Sequence, residues 1–162
     1  MVDLDRFDLR LLEALQQDGR LTNQELGERV GLSASQCSRR RAALEKEGFV
    51  RGYQARLGAA RLGFTVTAFI RVALTGHSEE NARGFRELVG RIEEVQEAYA
   101  ITGESDYLLK AVLPDLPALA LLVNEVLLRH GSVANVHSSI ALERLKDTGR
   151  LALHAHAGRL AG

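Results

Sequence analysis

The sequence predicts an α+β chain in which three short helices precede a β-α-β-β-α-β unit, and three observations carry that expectation. Apolar residues recur at helical spacing in three runs before residue 48, and a glycine closes each run. From residue 65 onward, runs that alternate apolar and polar side chains, the period of a strand, are interleaved with two further helical runs. Charge is uneven as well: the 162 residues sum to zero, yet Ser33 to Arg61 holds seven basic side chains against two acidic ones.

Residues 5–17 place Phe7, Leu11, Leu12 and Leu15 on one side of a helix, and Gly19 sits where a helix stops. Thr22 and Glu25 have the spacing at which each side chain accepts a free backbone N–H of the other residue, so a second helix starts there. Leu26 and Val30 face inward and Gly31 ends it. Leu32 plugs the core, and Ser33 and Gln36 repeat the box for a third helix that reaches about Glu47 before Gly48. Phe49 to Leu57 reads as extended, either the wing of a winged helix or a strand leading away. The run Gly58-Ala59-Ala60-Arg61-Leu62-Gly63 breaks the pattern, which places one unit at 1–61, a second at 62–146 and a tail at 147–162.

In the second unit Val66, Ala68, Ile70, Val72 and Leu74 alternate with Thr65, Thr67, Phe69, Arg71 and Ala73, a strand covered on at least one face. A helix capped by Ser78 follows, with Ala82, Phe85, Leu88, Val89 and Ile92 at helical spacing. Val95 to Ile101 and Asp106 to Leu113 form two strands joined through Thr102-Gly103-Glu104-Ser105. Pro114 and Pro117 flank the start of a last helix, whose buried stripe reads Leu116, Leu119, Ala120, Val123, Val126 and Leu127. Val133 to Leu142 closes the unit as a strand. The order β-α-β-β-α-β is that of a ferredoxin-like sandwich, with two helices on one face of an antiparallel sheet. Its bare second face predicts a dimer through the sheets or their edges.

Composition narrows the function classes. Hydrophobic content of 46% with 26% charge is that of an ordinary soluble protein, and no run approaches the ~18 apolar residues of a membrane span. The opening MVDLDRFDLR lacks the layout of a secretory signal, so a cytoplasmic location is expected. The lone Cys37 cannot form an internal disulfide and reads as a small buried hydrophobe. His154 and His156 have the spacing of one strand face but lack further metal ligands, and His77, His130 and His137 show no metal spacing. No nucleophile–base pair or phosphate loop stands out, so neither an enzyme nor a cofactor is expected. Residues 1–32 are acidic and residues 62–162 nearly balance, which leaves the basic stretch in the N-terminal third as the part that meets a polyanion.

These residues resemble the Lrp/AsnC, or feast/famine, family of transcriptional regulators. The likeness runs through Leu4-Asp5-Arg6-Phe7-Asp8, Leu21-Thr22-Asn23-Gln24-Glu25-Leu26, and Val30-Gly31-Leu32-Ser33 with Cys37 and Arg40. It continues at Gly48-Phe49-Val50-Arg51-Gly52-Tyr53, at Gly103 to Lys110, and at Pro114-Asp115. The resemblance implies a winged helix-turn-helix joined by a linker strand to a ferredoxin-like sensing domain of the RAM or ACT-like kind. It further implies double-stranded DNA as partner and dimers that assemble to tetramers or rings of four dimers. An amino acid is the implied effector, bound in a cleft between subunits.

On that basis the third helix is the recognition helix, with Ser33, Ser35, Gln36, Ser38, Arg39 and Arg40 as its DNA contacts. Gln36 and Arg39 suit base reading, since their side chains pair bidentately with adenine and guanine, whereas Ser35, Ser38 and Arg40 suit phosphates. Arg41 stands where the family often has an apolar residue, and is expected to reach past the core edge to a phosphate or an acid. The effector set is Gly103, Glu104 and Asp106, where a glycine admits a carboxylate to backbone amides and Asp106 meets an ammonium group. Ser138, Ser139 and Ile140 join it by family position. Two alternatives remain: an enzyme resembling the siroheme decarboxylases, which carry a His motif absent from Tyr99 to Tyr107 here, or an architectural DNA-binding protein.

Overall fold

The computed structural model describes residues 4–76 and 78–153, so the expectations for His77, His154 and His156 lie outside the described residues. The chain divides into two units, Met1–Arg56 with Lys146–Gly162, and Leu57–Leu145. The division falls a few residues before the expected one, and the tail belongs to the first unit. There Arg56 Nη2 lies 2.7 Å from Asp147 Oδ2, and Gln16 exchanges two hydrogen bonds with the Leu151 backbone, at 2.6 and 3.3 Å.

The first unit contains α1 (Arg6–Gln17), α2 (Asn23–Val30) and α3 (Ala34–Lys46). Each begins with a reciprocal capping box, Asp5 with Asp8, Thr22 with Glu25, and Ser33 with Gln36, which satisfies backbone N–H groups that a helix start leaves free. Leu11, Leu15, Leu26, Val30, Cys37 and Leu44 meet in one core. Burial pushes the Cys37 thiol above its ordinary value, with Arg40 opposing, as suits a side chain serving as a hydrophobe. At Gly27 the helix pair closes so tightly that a Cβ would stand 2.5 Å from the Leu32 carbonyl oxygen. After Gly48, residues 49–58 form no paired strand, and the extended stretch has no ladder partner among the described residues.

The second unit contains β1 (Val66–Leu74), α4 (Glu79–Val89), β2 (Val95–Ala100), β3 (Tyr107–Leu113), α5 (Leu116–Leu121) and β4 (Val133–Ile140). The sheet is antiparallel with strand order β2-β3-β1-β4. Ala68, Ile70 and Val72 of β1 and Leu109, Ala111 and Leu113 of β3 point to one face and pack with Phe85, Leu119, Leu122 and Leu127. Leu116 and Ala120 do not join the stripe expected for the last helix; both are exposed, and Leu122 is buried instead. The inward face runs 119, 122, 123, 126, 127, and Leu122–Leu127 is wound as a π-helix with Leu128 N–H bonded five residues back to the Val123 carbonyl. The open face of the sheet leaves Phe69 40% and Tyr99 52% exposed.

Candidate nucleic-acid interface and effector residues

The recognition helix presents a narrow strip. Ser35, Arg39, Ala42 and Lys46 follow one another at intervals of three or four along α3, with Ser38 beside Arg39, and all are exposed. Small side chains beside one guanidinium leave room for a groove wall to approach closely. Ser33 and Ser35 hydroxyls lie 3.1 Å apart at the N-terminus. Arg39 is exposed and, among the described residues, forms no hydrogen bond or ion pair.

Two of the sequence-expected contacts are held within the domain. Gln36 Oε1 accepts from the Ser33 N–H at 3.0 Å and from the Ser33 hydroxyl at 3.1 Å. A bidentate pair with adenine needs that oxygen, so such a pair would have to open the capping box. Arg40 is likewise paired within the domain. Its Nη1 lies 2.8 Å from Asp8 Oδ1 and 2.9 Å from Asp5 Oδ2, and its guanidinium lies 5.7 Å from the Phe7 ring centre. The Asp8 hydrogen bond, followed by Asp5 and outweighing burial, holds the Arg40 guanidinium above its ordinary value. Burial works against ionisation of Asp5, but the Asp8 and Phe7 amides and Arg40 together hold that carboxyl below its ordinary value.

Arg41 finds an acid, as one of its two expectations had it. Its Nε donates to Glu45 Oε1 at 3.1 Å and its Nη1 to the Leu21 carbonyl at 3.1 Å, while the guanidinium lies 4.6 Å from the Tyr53 ring centre. Tyr53 donates its hydroxyl to the same Glu45 oxygen at 2.9 Å. These partners of Arg40 and Arg41 escaped the sequence reading; the available signal was Asp5 and Asp8 at the start of a helix preceding a run of arginines.

The expected effector residues are not one cluster within a chain. Gly103 adopts φ +115°, a left-handed conformation that favours glycine at the loop tip, and Glu104 is exposed beside it. Asp106 is turned to structural use: its N–H bonds the Val72 carbonyl, and its Oδ2 accepts from the Leu74 N–H at 2.7 Å. On β4, Ser138 pairs with Ile70 and Ser139 with Phe69, so Ser138 and Ile140 point to the helix-covered face and Ser139 to the open one. With β1 lying between, Ser138 stands roughly 12 Å from the Asp106 end of β3 by strand spacing and rise.

Comparison with known proteins decides the family. The Lrp/AsnC ligand binding domain profile matches residues 67–151, and a winged helix-turn-helix DNA-binding profile matches residues 4–51. The chain belongs to the Lrp/AsnC family. Among its relatives, the leucine-responsive regulatory proteins of Escherichia coli K12 and Klebsiella pneumoniae are each 38% identical over 151 residues, covering 93% of this chain and 92% of theirs. A Neisseria meningitidis transcriptional regulator solved in complex with L-methionine aligns at a TM-score of 0.90 and 41% identity, covering 94% of this chain and 98% of that one. An AsnC-family regulator from Agrobacterium tumefaciens aligns at 0.88 and 34%, covering 94% and 99%. This Lrp/AsnC protein is therefore a DNA-binding transcriptional regulator, with the winged helix-turn-helix in its first unit and the family's ligand-binding domain in its second.

Proposed function

We propose that this regulator reads specific duplex sites through the exposed strip of α3 and changes its DNA binding when a free amino acid occupies the second unit. The observation that carries the DNA reading is the Ser35–Ser38–Arg39–Ala42 face, with Arg39 uncommitted among the described residues. Arg39 reads a base edge in the major groove, while Ser33, Ser35 and Ser38 with the N-terminal amides of α3 hold phosphates. Gln36 contributes through its amide nitrogen, its oxygen being engaged in the cap.

The effector proposal draws support from the related Neisseria protein, which binds L-methionine. Gly103 and Glu104 from one subunit, together with Ser138, Ser139 and Ile140 from others, frame a cleft that a single chain leaves open; Asp106 shapes the loop from behind. Phe69 and Tyr99 on the open sheet face favour a second copy as the cover, giving a homodimer that assembles to tetramer or octamer. The regulator works in the cytoplasm, catalyses no reaction and needs no cofactor. Among the described residues no helix is long and apolar enough to cross a membrane.

Selection of bound duplexes from a random library, then footprinting, tests the first part. One or a few protected sites support a specific regulator, whereas uniform coverage supports an architectural protein. Thermal shift against the twenty amino acids tests the second, and no shift with any of them overturns the effector reading.

A further inference from the structure

We propose that Arg40 and Arg41 are positioning residues that fix the pose of the recognition helix from two sides, and that Arg39 alone of the three arginines meets DNA. The inference deepens the proposed reading of α3. Consecutive helical residues point about 100° apart, so three arginines in a row fan over about 200°, a little more than half of the helix circumference. The structure gives each sector its own neighbour. Arg39 faces out; Arg40 reaches the N-terminus of α1 through Asp5 and Asp8; Arg41 reaches the α1–α2 turn through the Leu21 carbonyl and the segment after α3 through Glu45 and Tyr53.

Both clamps are built from more than one contact. Arg40 Nη1 bridges two carboxylates that are themselves fixed, since Asp5 accepts from the Phe7 and Asp8 amides at 2.8 and 2.9 Å and Asp8 accepts from the Asp5 amide at 3.2 Å. A guanidinium neutralised in this way is poorly available to a phosphate, because reaching one would strand two acids close to a polyanion. Arg41 hydrogen-bonds a main-chain carbonyl and a carboxylate while stacking over Tyr53, which leaves its cation equally committed. The hydrophobic strength of α3 is small, with only Cys37 and Leu44 fully inward, so polar ties on its flanks must do much of the holding.

The test uses the full-length protein and a duplex that the wild type enriches from a random library, with a scrambled duplex of equal length as control. Affinity is measured across a salt series. Loss of a phosphate contact lowers the slope of log affinity against log salt by about 0.9. Arg39→Ala is expected to weaken the selected site roughly five- to hundredfold and to relax preference at one base pair. Arg40→Ala and Arg41→Ala are expected to shrink the ratio of selected to scrambled affinity with the salt slope unchanged.

Two further variants separate positioning from simple loss of fold. Asn caps a helix as well as Asp does, so Asp5→Asn with Asp8→Asn keeps the helix start and removes only the ion pairs. This double variant is expected to lose selectivity as Arg40→Ala does, although it removes two negative charges near the duplex. Arg40→Lys, whose single ammonium can also bridge both carboxylates, is expected to restore selectivity. The proposal is overturned if Arg40→Ala lowers the salt slope by about one contact, if the double Asn variant binds DNA more tightly than wild type, or if Arg40→Ala leaves selectivity intact. Failure of the wild type to enrich any duplex would instead overturn the reading of α3 as the DNA-contacting helix.

Discussion

The two units of this chain differ in how much of their function a single copy contains. In the first, the exposed strip of α3, the caps that start the helices and the clamps that flank α3 all lie within one chain. In the second, the loop at Gly103–Asp106 and the Ser138–Ile140 stretch are separated by a strand, and the latter splits its side chains between two faces. A reading device can be complete in one protomer because its ligand, a duplex, brings its own surface. Residues spread in this way over both faces of a four-stranded sheet enclose no ligand until another surface supplies a facing wall.

The contrast is sharpest if the units unfold separately, and the largest expected effect tests that. Phe85 is fully buried beneath the sheet at a centroid distance of 4.6 Å from Tyr107. Phe85→Ala is expected to cost about 3–5 kcal/mol through lost burial and the cavity left behind. Hydrogen exchange read by segment should show protection falling in β1, β3 and α4 while α1 to α3 keep theirs. Equal loss in both units would show that the two fold as one.

The matching perturbation in the first unit is smaller. Gly27→Ala drives a Cβ toward a backbone carbonyl 2.5 Å away, and neither side is a flexible side chain that could yield. A cost of about 1–3 kcal/mol is expected from overpacking. Affinity for DNA should fall with it, since the Gly27–Leu32 contact sets the angle between α2 and α3, while the response to an effector in a thermal-shift assay of the second unit should survive.

Much of this was legible in the residues. Two of the three capping boxes, Thr22 with Glu25 and Ser33 with Gln36, the β-α-β-β-α-β order and the alternation of β1 followed from spacing alone, because caps and periodicities are local properties; the Asp5–Asp8 box is added by the structure. The stripe of the last helix was read with Leu116 and Ala120 inward, because a leucine-rich helix offers several apolar faces and only packing against the sheet chooses Leu122. The DNA contacts were read from residue type. The ion pairs of Arg40 were not legible, because nothing in a one-dimensional reading brings Asp5 and Asp8 next to it, across more than thirty residues. Yet the fan of three arginines on one helix was present in the sequence, and it sets Arg39 and Arg41 about 200° apart around the helix axis. The dispersal of Ser138, Ser139 and Ile140 was likewise implicit in strand alternation.

Asp106 and Glu104 sharpen the comparison within the sensor. Asp106→Ala leaves the Leu74 N–H without its carboxylate partner, so about 1 kcal/mol of stability should be lost along with any effector response. Glu104→Gln touches no such bond, and titration calorimetry with an effector found in the thermal screen should separate the two. If the ammonium of the effector is met by Glu104, affinity falls while the melting temperature of the free protein stays; unchanged affinity would assign that role elsewhere.

The smallest effect lies at the start of α1 and depends on pH. Asp5 titrates below its ordinary value in the folded protein, so its contribution to stability is complete above roughly pH 4, the usual aspartate range, and declines as pH falls through the lower folded value. At neutral pH Asp5→Asn retains the cap and leaves Arg40 its bond to Asp8, so the loss should stay below about 1 kcal/mol, as befits a partly exposed pair. The variant should differ from wild type in slope: melting of the first unit between pH 5 and 2 should fall less steeply, because one carboxylate that favours the folded state no longer takes up a proton. Parallel acid limbs for the two proteins would mean that Asp5 is held no more firmly in the folded chain than in the unfolded one, and that Asp8 alone anchors Arg40 to α1.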